Sequence, residues 1–436
     1  MRRFRNILSL VLFCLSALSV QAQMNGCNSS YSMFGLGLLN DQSDGLRKSM
    51  AGAGLGVRVG NRLNTGNPAS YSAIDSLSFI MDVGMKGSFG KMTQNAKTVA
   101  VNNATLDYVH VGFRIVPRLG FVAGFQSYSS IGYDFSSPEK TIVNDANTTL
   151  PIASSNGFSG EGGLSQVYAG LGWNAFRNLS VGVNASFLWG DYRHFVGTTF
   201  TEGGTTSSSY SSAMKVSAAK LRTYKIDLGA QYPVQINADN KLTLGAVVSM
   251  GHKIAQDADL LRLTSMGDTT TLTAKTPFDL PWTFGGGVAW ERKNNLLVAA
   301  DIHHESWGKC HAPVETSTGY EAMTGTYKNR VKMAAGAQWI PNPYDKRYWQ
   351  CIQYRAGISY STPYMKINGQ NGPYELSMHI GAGLPFRGSG SQSMVNVGLQ
   401  WLKRSASGPN MVHENYLLVN VGVVFNERWF QKYKIQ

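Results

Sequence analysis

Apolar and polar residues alternate with a period of two along most of this chain. In one such run, Leu179, Val181 and Val183 alternate with Ser180 and Gly182. Successive side chains of a β-strand point to opposite faces, so each run has one apolar face and one face of small or polar residues. The pattern predicts strands from about residue 77 to residue 425, and it never settles into the 3.6-residue period of a helix.

Fourteen runs are long enough to be strands, an even number, as single-chain bacterial outer-membrane barrels require. They lie near 77–90, 104–115, 119–134, 164–175, 178–190, 218–232, 241–254, 281–292, 296–308, 327–340, 351–361, 373–385, 392–403 and 416–425. A weaker run near 268–275 predicts a strand extension beyond the membrane. The fold class predicted is all-β, a transmembrane antiparallel β-barrel over residues 76–425.

The connections between the runs differ in length, which favours up-and-down topology. Short links such as 176–178 contrast with long ones rich in Ser, Thr, Gly and Asn, near 135–163, 191–217 and 309–326. Short periplasmic turns and long outer loops are the asymmetry of outer-membrane barrels. We therefore expect the three long stretches to be loops.

Tryptophan lies at or near the ends of many runs, where an aromatic girdle would meet the membrane interface. The residues concerned are Trp173, Trp189, Trp282, Trp290, Trp307, Trp339 and Trp401. A soluble β-sandwich is the alternative, but it would seldom combine fourteen strands with tryptophan at so many ends.

The first residues have the features of a secretory signal peptide over 1–22. Arg2, Arg3 and Arg5 form a basic start, residues 7–20 are apolar, and Ala22 offers a cleavage site. No later stretch has the 18 or so apolar residues of a membrane-spanning helix. We expect export with signal-peptide cleavage to the outer membrane of a Gram-negative bacterium.

Residues 23–75 lack the alternation and are rich in Gly, Asn and Ser. They have too few large apolar residues for a core of their own and too many for a simple disordered tail. We predict a plug packed inside the barrel. Residues 426–436 are predicted to be a C-terminal tail.

The charge of the chain indicates its partners, and its cysteine content limits disulfide bonding. The formal charge of +13 becomes +10 when the three leader arginines are removed, and the basic residues are scattered over turns and strand ends. This favours contact with outer-membrane lipid and lipopolysaccharide over nucleic acid. Cys27, Cys310 and Cys351 remain after leader removal, which allows at most one disulfide and leaves open whether one forms.

Three places resemble the FadL-type outer-membrane transporters of long-chain fatty acids and other hydrophobic compounds. The Gly-rich run 50–54 followed by Asn67-Pro68-Ala69 is similar to the N-terminal hatch of that family. Residues 280–285 are similar to its Pro-containing strand entry at Pro281. The next strand, with Asp301 and then Trp307, resembles its paired strand. The stretches 31–35 and 425–430 resemble a Bacteroidetes-type branch.

The resemblance implies a barrel plugged by a hatch that moves to let a ligand pass. Gly52, Gly54, Asn67, Pro68 and Ala69 are the gating candidates. The implied function is passive, cofactor-free uptake of hydrophobic small molecules such as long-chain fatty acids. Implied partners are that ligand, membrane lipid and, during biogenesis, the barrel assembly machinery. The family ends on an aromatic residue of the last strand, whereas eleven residues follow position 425 here.

The sequence also bears on other functions. A non-transport barrel that binds partners in secretion or surface assembly is the main alternative. Asp301 and His303 share a strand face near Ser306, but no nucleophile elbow or paired acidic motif accompanies them. His303 and His304 face opposite sides, so a metal site with His311 is disfavoured. No catalytic, cofactor or metal site is predicted.

A phosphate loop and an aqueous porin are also disfavoured. The glycines at 285–287 lie inside a strand, where glycine more often allows bending or close packing. A porin needs an open lumen with rings of charge. Charged residues form 15% of this chain, and a hatch would block the pore.

Overall fold

The structure, a computed structural model, describes residues 27–95, 97–137, 140–143, 152–202, 205–206, 212–386, 392–408 and 411–428. The predicted signal peptide at 1–22 lies outside these residues. The last predicted strand runs on to residue 428, three residues beyond its expected end. The remainder of the predicted tail, 429–436, also lies outside the described residues.

Within the described residues, fourteen antiparallel strands close into a barrel, which confirms the predicted fold class. In chain order they are β1 (Ser78–Gln94), β2 (Lys97–Val116), β3 (Leu119–Ser127), β4 (Ile152–Phe176), β5 (Leu179–Glu202), β6 (Ala213–Asn237), β7 (Asn240–Ser249), β8 (Thr283–Arg292), β9 (Leu296–Glu305), β10 (Arg330–Trp339), β11 (Gln353–Ser361), β12 (Tyr374–Pro385), β13 (Met394–Ser405) and β14 (His413–Arg428). β1 pairs with β14 from Ser78 opposite Arg428 to Thr93 opposite His413, which closes the barrel.

Helices are short in the described part of the chain. They are α1 (Gly45–Lys48), α2 (Tyr348–Cys351) and the 3₁₀-helices Ser30–Met33, Pro68–Ala73 and Trp307–Lys309. None of them has the length and apolarity needed to cross a membrane. None of the three cysteines considered above is in a disulfide.

Short strands accompany the barrel. They are Leu38–Leu39, Ser129–Ser136, Lys140–Val143, Thr205–Thr206, His252–Ile254, Ala258–Thr264, Thr269–Ala274, Phe278–Leu280, Ala312–Glu315, Tyr320–Met323, Lys366–Ile367 and Gln370–Asn371. The strand Ser129–Ser136 continues the course of β3 after a break at Tyr128, and it pairs with β4.

The outer face of the barrel carries a belt of exposed apolar side chains. Examples from six strands are Leu171, Leu228, Val288, Ile302, Ile358 and Leu399. Such a belt is the surface that an outer-membrane barrel presents to lipid. Trp173, Trp282, Trp339 and Trp401 are exposed, in keeping with a girdle. For Trp307 the girdle prediction is wrong: the chain leaves β9 in a 3₁₀ turn, and this side chain is fully buried.

The prediction of long loops at 135–163 and 191–217 is largely wrong, because β4, β5 and β6 extend into these stretches. The three strands have total lengths of 25, 24 and 25 residues. Residues 152–163 of β4 pair with residues 191–202 of β5. The stretch 309–326 contains a short hairpin. Outside the membrane both faces of a strand tolerate Ser, Thr and Gly, so apolar alternation no longer reports the strand.

One sheet is formed by these upper strand segments. It comprises residues 152–163, 191–202 and 213–218 together with the hairpin Ala258–Thr264 and Thr269–Ala274, which pairs with β6. The hairpin confirms the strand predicted near 268–275. The segments lie at the end of the barrel opposite the short turns, so we call this sheet the extracellular extension.

Candidate functional site

The N-terminal segment, residues 27–77, lies against the inner face of the barrel. Met50, Ala53 and Leu55 are buried. A Cβ atom built on Gly336 of β10 or on Gly357 of β11 would lie about 2.5 Å from the backbone of Met50. Glycine at these wall positions therefore lets the backbone of the segment approach the strands closely.

Asn67 joins this segment to the wall and also begins a helix. Its Oδ1 accepts from the backbone N–H of Ala69 at 3.1 Å, which caps the 3₁₀-helix Pro68–Ala73. Its Nδ2 donates to the carbonyls of Leu55 and Ala230, both at 3.0 Å. One fully buried side chain thus ties two parts of the segment to β6.

Replacing Asn67 with alanine should lower the free energy of unfolding by about 2 to 3 kcal/mol, because the cap and the buried donors are lost together. Thermal unfolding of the purified barrel, followed by heat-modifiable gel mobility, measures this. Asn178→Ala is the matched control, since that amide lies in an exposed turn and donates to the Pro233 carbonyl at 3.2 Å. Equal midpoints for the two variants would contradict the role given to Asn67.

The Gly-rich run is held by Asp301 of β9. Its Oδ2 accepts from the backbone N–H of Gly54 at 2.6 Å and of Leu55 at 2.9 Å. Gly52 has a φ of +86°, the left-handed conformation that closes the turn after α1, and its N–H donates to the Arg47 carbonyl at 2.8 Å. The structure therefore places Gly54 against Asp301, and Gly52 forms the turn two residues before it.

Pro281 and Trp307 belong to a different part of the lumen. Trp307 donates from Nε1 to the Glu305 carboxylate at 2.7 Å and contacts the rings of Tyr327 and Tyr364. It forms an apolar cluster, called the upper core, with residues of the strands, the loops and the N-terminal segment: Leu36, Ile131, Leu164, Leu188, Leu221, Ile254, Phe278 and Leu280 among others. Pro281 is buried between Leu280 of that cluster and the start of β8.

Buried and half-buried charged residues, which the sequence pattern did not single out, surround the N-terminal segment. Lys48 pairs with Asp107 of β2, which also lies 3.5 Å from Lys86 of β1. Lys332 of β10 pairs with Asp41 at 3.1 Å. Charged residues inside otherwise alternating strand runs were the available signal, because a strand position facing lipid disfavours charge.

These charged residues alter the ionisation of the segment. Burial lowers the pKa of Lys48 to about 7, and the nearby Lys86 acts in the same direction while Asp41 opposes it. Burial by itself would raise the pKa of Asp41, but Lys332 and Lys48 hold it below its usual range. The carboxylate of Asp41 is therefore charged wherever the barrel is folded at neutral pH.

Two cavities adjoin the segment, and both are lined by charged and polar residues. A cavity of about 180 Å³ in mid-lumen is lined by Asp41, Arg47, Asp227, His303 and Lys332 among others. A cavity of about 620 Å³ opens at the end with the short turns, which is the periplasmic end.

His304 lies on the exposed face of β9, as the alternation predicts.

The pairing between β2 and β3 is incomplete, and we call the unpaired stretch of wall between them the seam. β2 pairs with β3 from Tyr108 to Val116, and within the described residues no strand pairs with β2 on that side above Tyr108. The N-terminal segment occupies this place. Leu38–Leu39 pairs with Ser129–Ser130, and the N–H of Ser29 donates to the Gly132 carbonyl at 2.9 Å.

A family model matches residues 4–436 of the chain, and its description is BamG. The chain belongs to the BamG family. The match spans nearly the whole sequence, so membership covers the barrel and the N-terminal segment alike. No match was found among curated protein sequences.

Solved structures similar to this BamG-family chain include a toluene transporter, a FadL homologue and a monoaromatic hydrocarbon channel. The toluene transporter TodX of Pseudomonas putida has 14% identity and a TM-score of 0.58, with 90% of this chain and 99% of that chain covered. A FadL homologue of Pseudomonas aeruginosa has 12% identity and a TM-score of 0.58, covering 89% and 98%. The monoaromatic hydrocarbon channel CymD has 12% identity and a TM-score of 0.57, with the same coverage.

These likenesses confirm the predicted resemblance to FadL-type barrels at the level of the fold. The BamG-family chain has the architecture of outer-membrane barrels, and its structural neighbours are channels rather than enzymes. Identities of 12 to 14% establish a shared fold and do not establish a shared ligand.

Proposed function

We propose that this protein is a partner-binding barrel of the machinery that assembles β-barrel proteins in the outer membrane. The whole-chain match to the BamG family carries the proposal, because the family name refers to barrel assembly machinery. It is a narrower form of the alternative that the sequence left open, a non-transport barrel that binds partners in secretion or surface assembly. Two features of the molecule support it, one in the lumen and one outside the membrane.

Apart from the two cavities, the lumen is occupied by the protein's own side chains. In the upper core, Trp307, Phe278, Leu188 and Leu221 are each at most 2% exposed. Below it, charged residues and the N-terminal segment occupy the barrel. Apolar side chains buried to this extent stabilise a fold as the core of a soluble domain does. A barrel with such a core is suited to present a fixed surface to a protein partner.

The extracellular extension offers a surface on which a partner could bind. A strand of 25 residues such as β4 spans roughly 60 Å along the barrel axis at about 3.3 Å per residue and a tilt of about 40°. The apolar band of an outer-membrane barrel is about 25 Å tall. Much of β4, β5 and β6 therefore stands clear of the membrane. Met214 of β6 and Met266, in the turn of the hairpin that pairs with β6, are both exposed.

A second function is hatch-gated passage of hydrophobic small molecules such as long-chain fatty acids. The seam between β2 and β3 favours it, together with the fold shared with hydrocarbon channels. In this proposal, the N-terminal segment moves as the hatch, and Gly52, Gly54, Asn67, Pro68 and Ala69 take part in its movement. Withdrawal of Leu38–Leu39 from the strand beside it would open the seam toward lipid.

One experiment separates the two functions. A photocrosslinking amino acid is placed at Met266 or Met214, and in the control at Tyr344, which is exposed near the periplasmic end. We expect the two extension sites to crosslink in high yield to a subunit of the barrel assembly machinery, and Tyr344 to give little of that product. Depleting the protein should lower the amounts of other outer-membrane barrels.

Native mass spectrometry of the same preparation measures whether the lumen carries an apolar molecule, as the passage function requires. A monomer that carries a fatty acid or other apolar molecule, and crosslinks to no assembly subunit, would reject the assembly proposal and support passage. A crosslinked assembly complex with no lipid in the lumen would reject passage. The wild-type protein serves in both arms.

A further inference from the structure

Three arginines near the periplasmic end differ from other cations inside the barrel. Lys48, Lys332 and Arg330 each lie within 4.0 Å of a carboxylate. Among the described residues, no carboxylate lies within that distance of the three arginines, which are Arg58, Arg62 and Arg355. Their polar contacts are with neutral groups.

Arg62 and Arg355 share a single acceptor. Arg62 Nη1 donates to Gln338 Oε1 at 3.4 Å, and Arg355 Nε donates to the same oxygen at 2.9 Å. Arg355 also donates to Asn396 Oδ1 at 2.7 Å and Gln353 Oε1 at 2.8 Å. Two positive charges are thus brought together on amide oxygens that carry no compensating charge.

Burial makes this arrangement unusual. Arg62 is 8% exposed and Arg355 is 3% exposed. Arg62 Nε is buried and has no hydrogen-bond partner. A buried guanidinium is normally paired with a carboxylate or a phosphate, because its desolvation is otherwise not offset. Asp44 and Asp82, which favour the charged form of Arg62, lie beyond ion-pair distance.

The arginines adjoin the periplasmic cavity of about 620 Å³. Arg58 and Arg62 of the N-terminal segment line it, together with Gln338 and Gln353 of the wall. Arg58 donates to the Ala69 carbonyl at 3.3 Å and Gln231 Oε1 at 3.4 Å, both neutral. At the rim, Lys293 is paired with Asp239 at 3.0 Å, so its charge is already compensated.

We propose that this cavity binds an oxyanion, a carboxylate or a phosphate group, with Arg62 as the contacting residue and Arg355 as a second positive charge behind it. Guanidinium groups bind both anions through paired N–H donors, which gives the shared chemistry. The site lies between the N-terminal segment and the wall, so an occupant would tie the two together. An oxyanion bound here is compatible with either of the proposed functions.

Titration calorimetry of the full-length barrel in detergent tests the site. The probes are inorganic phosphate, acetate and octanoate, each added at constant ionic strength in a chloride background. We expect at least one to bind, with the affinity about tenfold lower or more in Arg62→Gln. Lys293→Gln, in the same cavity but at a paired position, should bind like the wild type.

Each outcome decides the matter. Preference for phosphate would indicate a phosphate-bearing ligand, and preference for octanoate over acetate would indicate a carboxylate on an apolar chain. Binding unchanged in Arg62→Gln, or no oxyanion binding above chloride, would overturn the site. Arg62→Lys covers a folding defect in the first variant: it keeps the charge, and we expect weaker binding because the paired donors are lost.

Discussion

Replacing Asp301 with alanine is expected to detach the Gly-rich run from the wall and to lower the free energy of unfolding by about 3 to 5 kcal/mol. The Asp301 carboxylate is 5% exposed and accepts two backbone N–H groups. Hydrogen bonds to a charged group contribute about 1.5 to 3 kcal/mol each, and the alanine would leave both donors buried without a partner. Protease cleavage within residues 47–62 of the folded barrel, together with the thermal midpoint, measures the change.

Asp301→Asn is the graded control. The amide keeps the shape and one neutral acceptor, so we expect a loss of about 1 to 2 kcal/mol and little cleavage. If the alanine variant kept the protease resistance and midpoint of the wild type, the contact with Gly54 and Leu55 would not hold the segment. The result bears on both functions, because each needs the segment in a defined place.

Substituting valine for Gly245 of β7 is expected to push the N-terminal segment off the wall. A Cβ atom at this position would lie 2.1 Å from the Leu55 carbonyl oxygen. The obstacle is backbone held by Asn67 and Asp301, so it cannot give way as a flexible side chain would. We expect a loss of about 3 kcal/mol, seen as a lower thermal midpoint and cleavage of the segment.

The neighbouring strand offers a matched control in Gly286→Val. Gly286 pairs with Ala246, the residue after Gly245. A Cβ atom on Gly286 meets nothing within 4 Å. Valine is favourable in a strand, so this variant should match the wild type. A similar loss of stability in both variants would mean that glycine is needed there for the strand itself and not for the approach of the segment.

The strands that cross the membrane could be predicted from the sequence, because they keep the alternation of apolar and polar residues. The run expected at 119–134 is seen as β3 and its continuation, and the run expected at 281–292 is seen as β8. The structure places Asn67 in a buried position, and its partner on β6 could not be known from the sequence. Trp307 was misplaced because it leaves the period-two register in a 3₁₀ turn.

The sequence by itself determined the number of strands, the closed barrel and the residues of the N-terminal segment worth testing, because lipid on one face enforces apolar alternation. The tertiary structure alone decided which strands rise beyond the membrane, since in water that alternation is no longer required. It also decided which glycines face the segment and which buried arginines lack a carboxylate. Those properties depend on contacts between residues hundreds of positions apart, which no local pattern encodes.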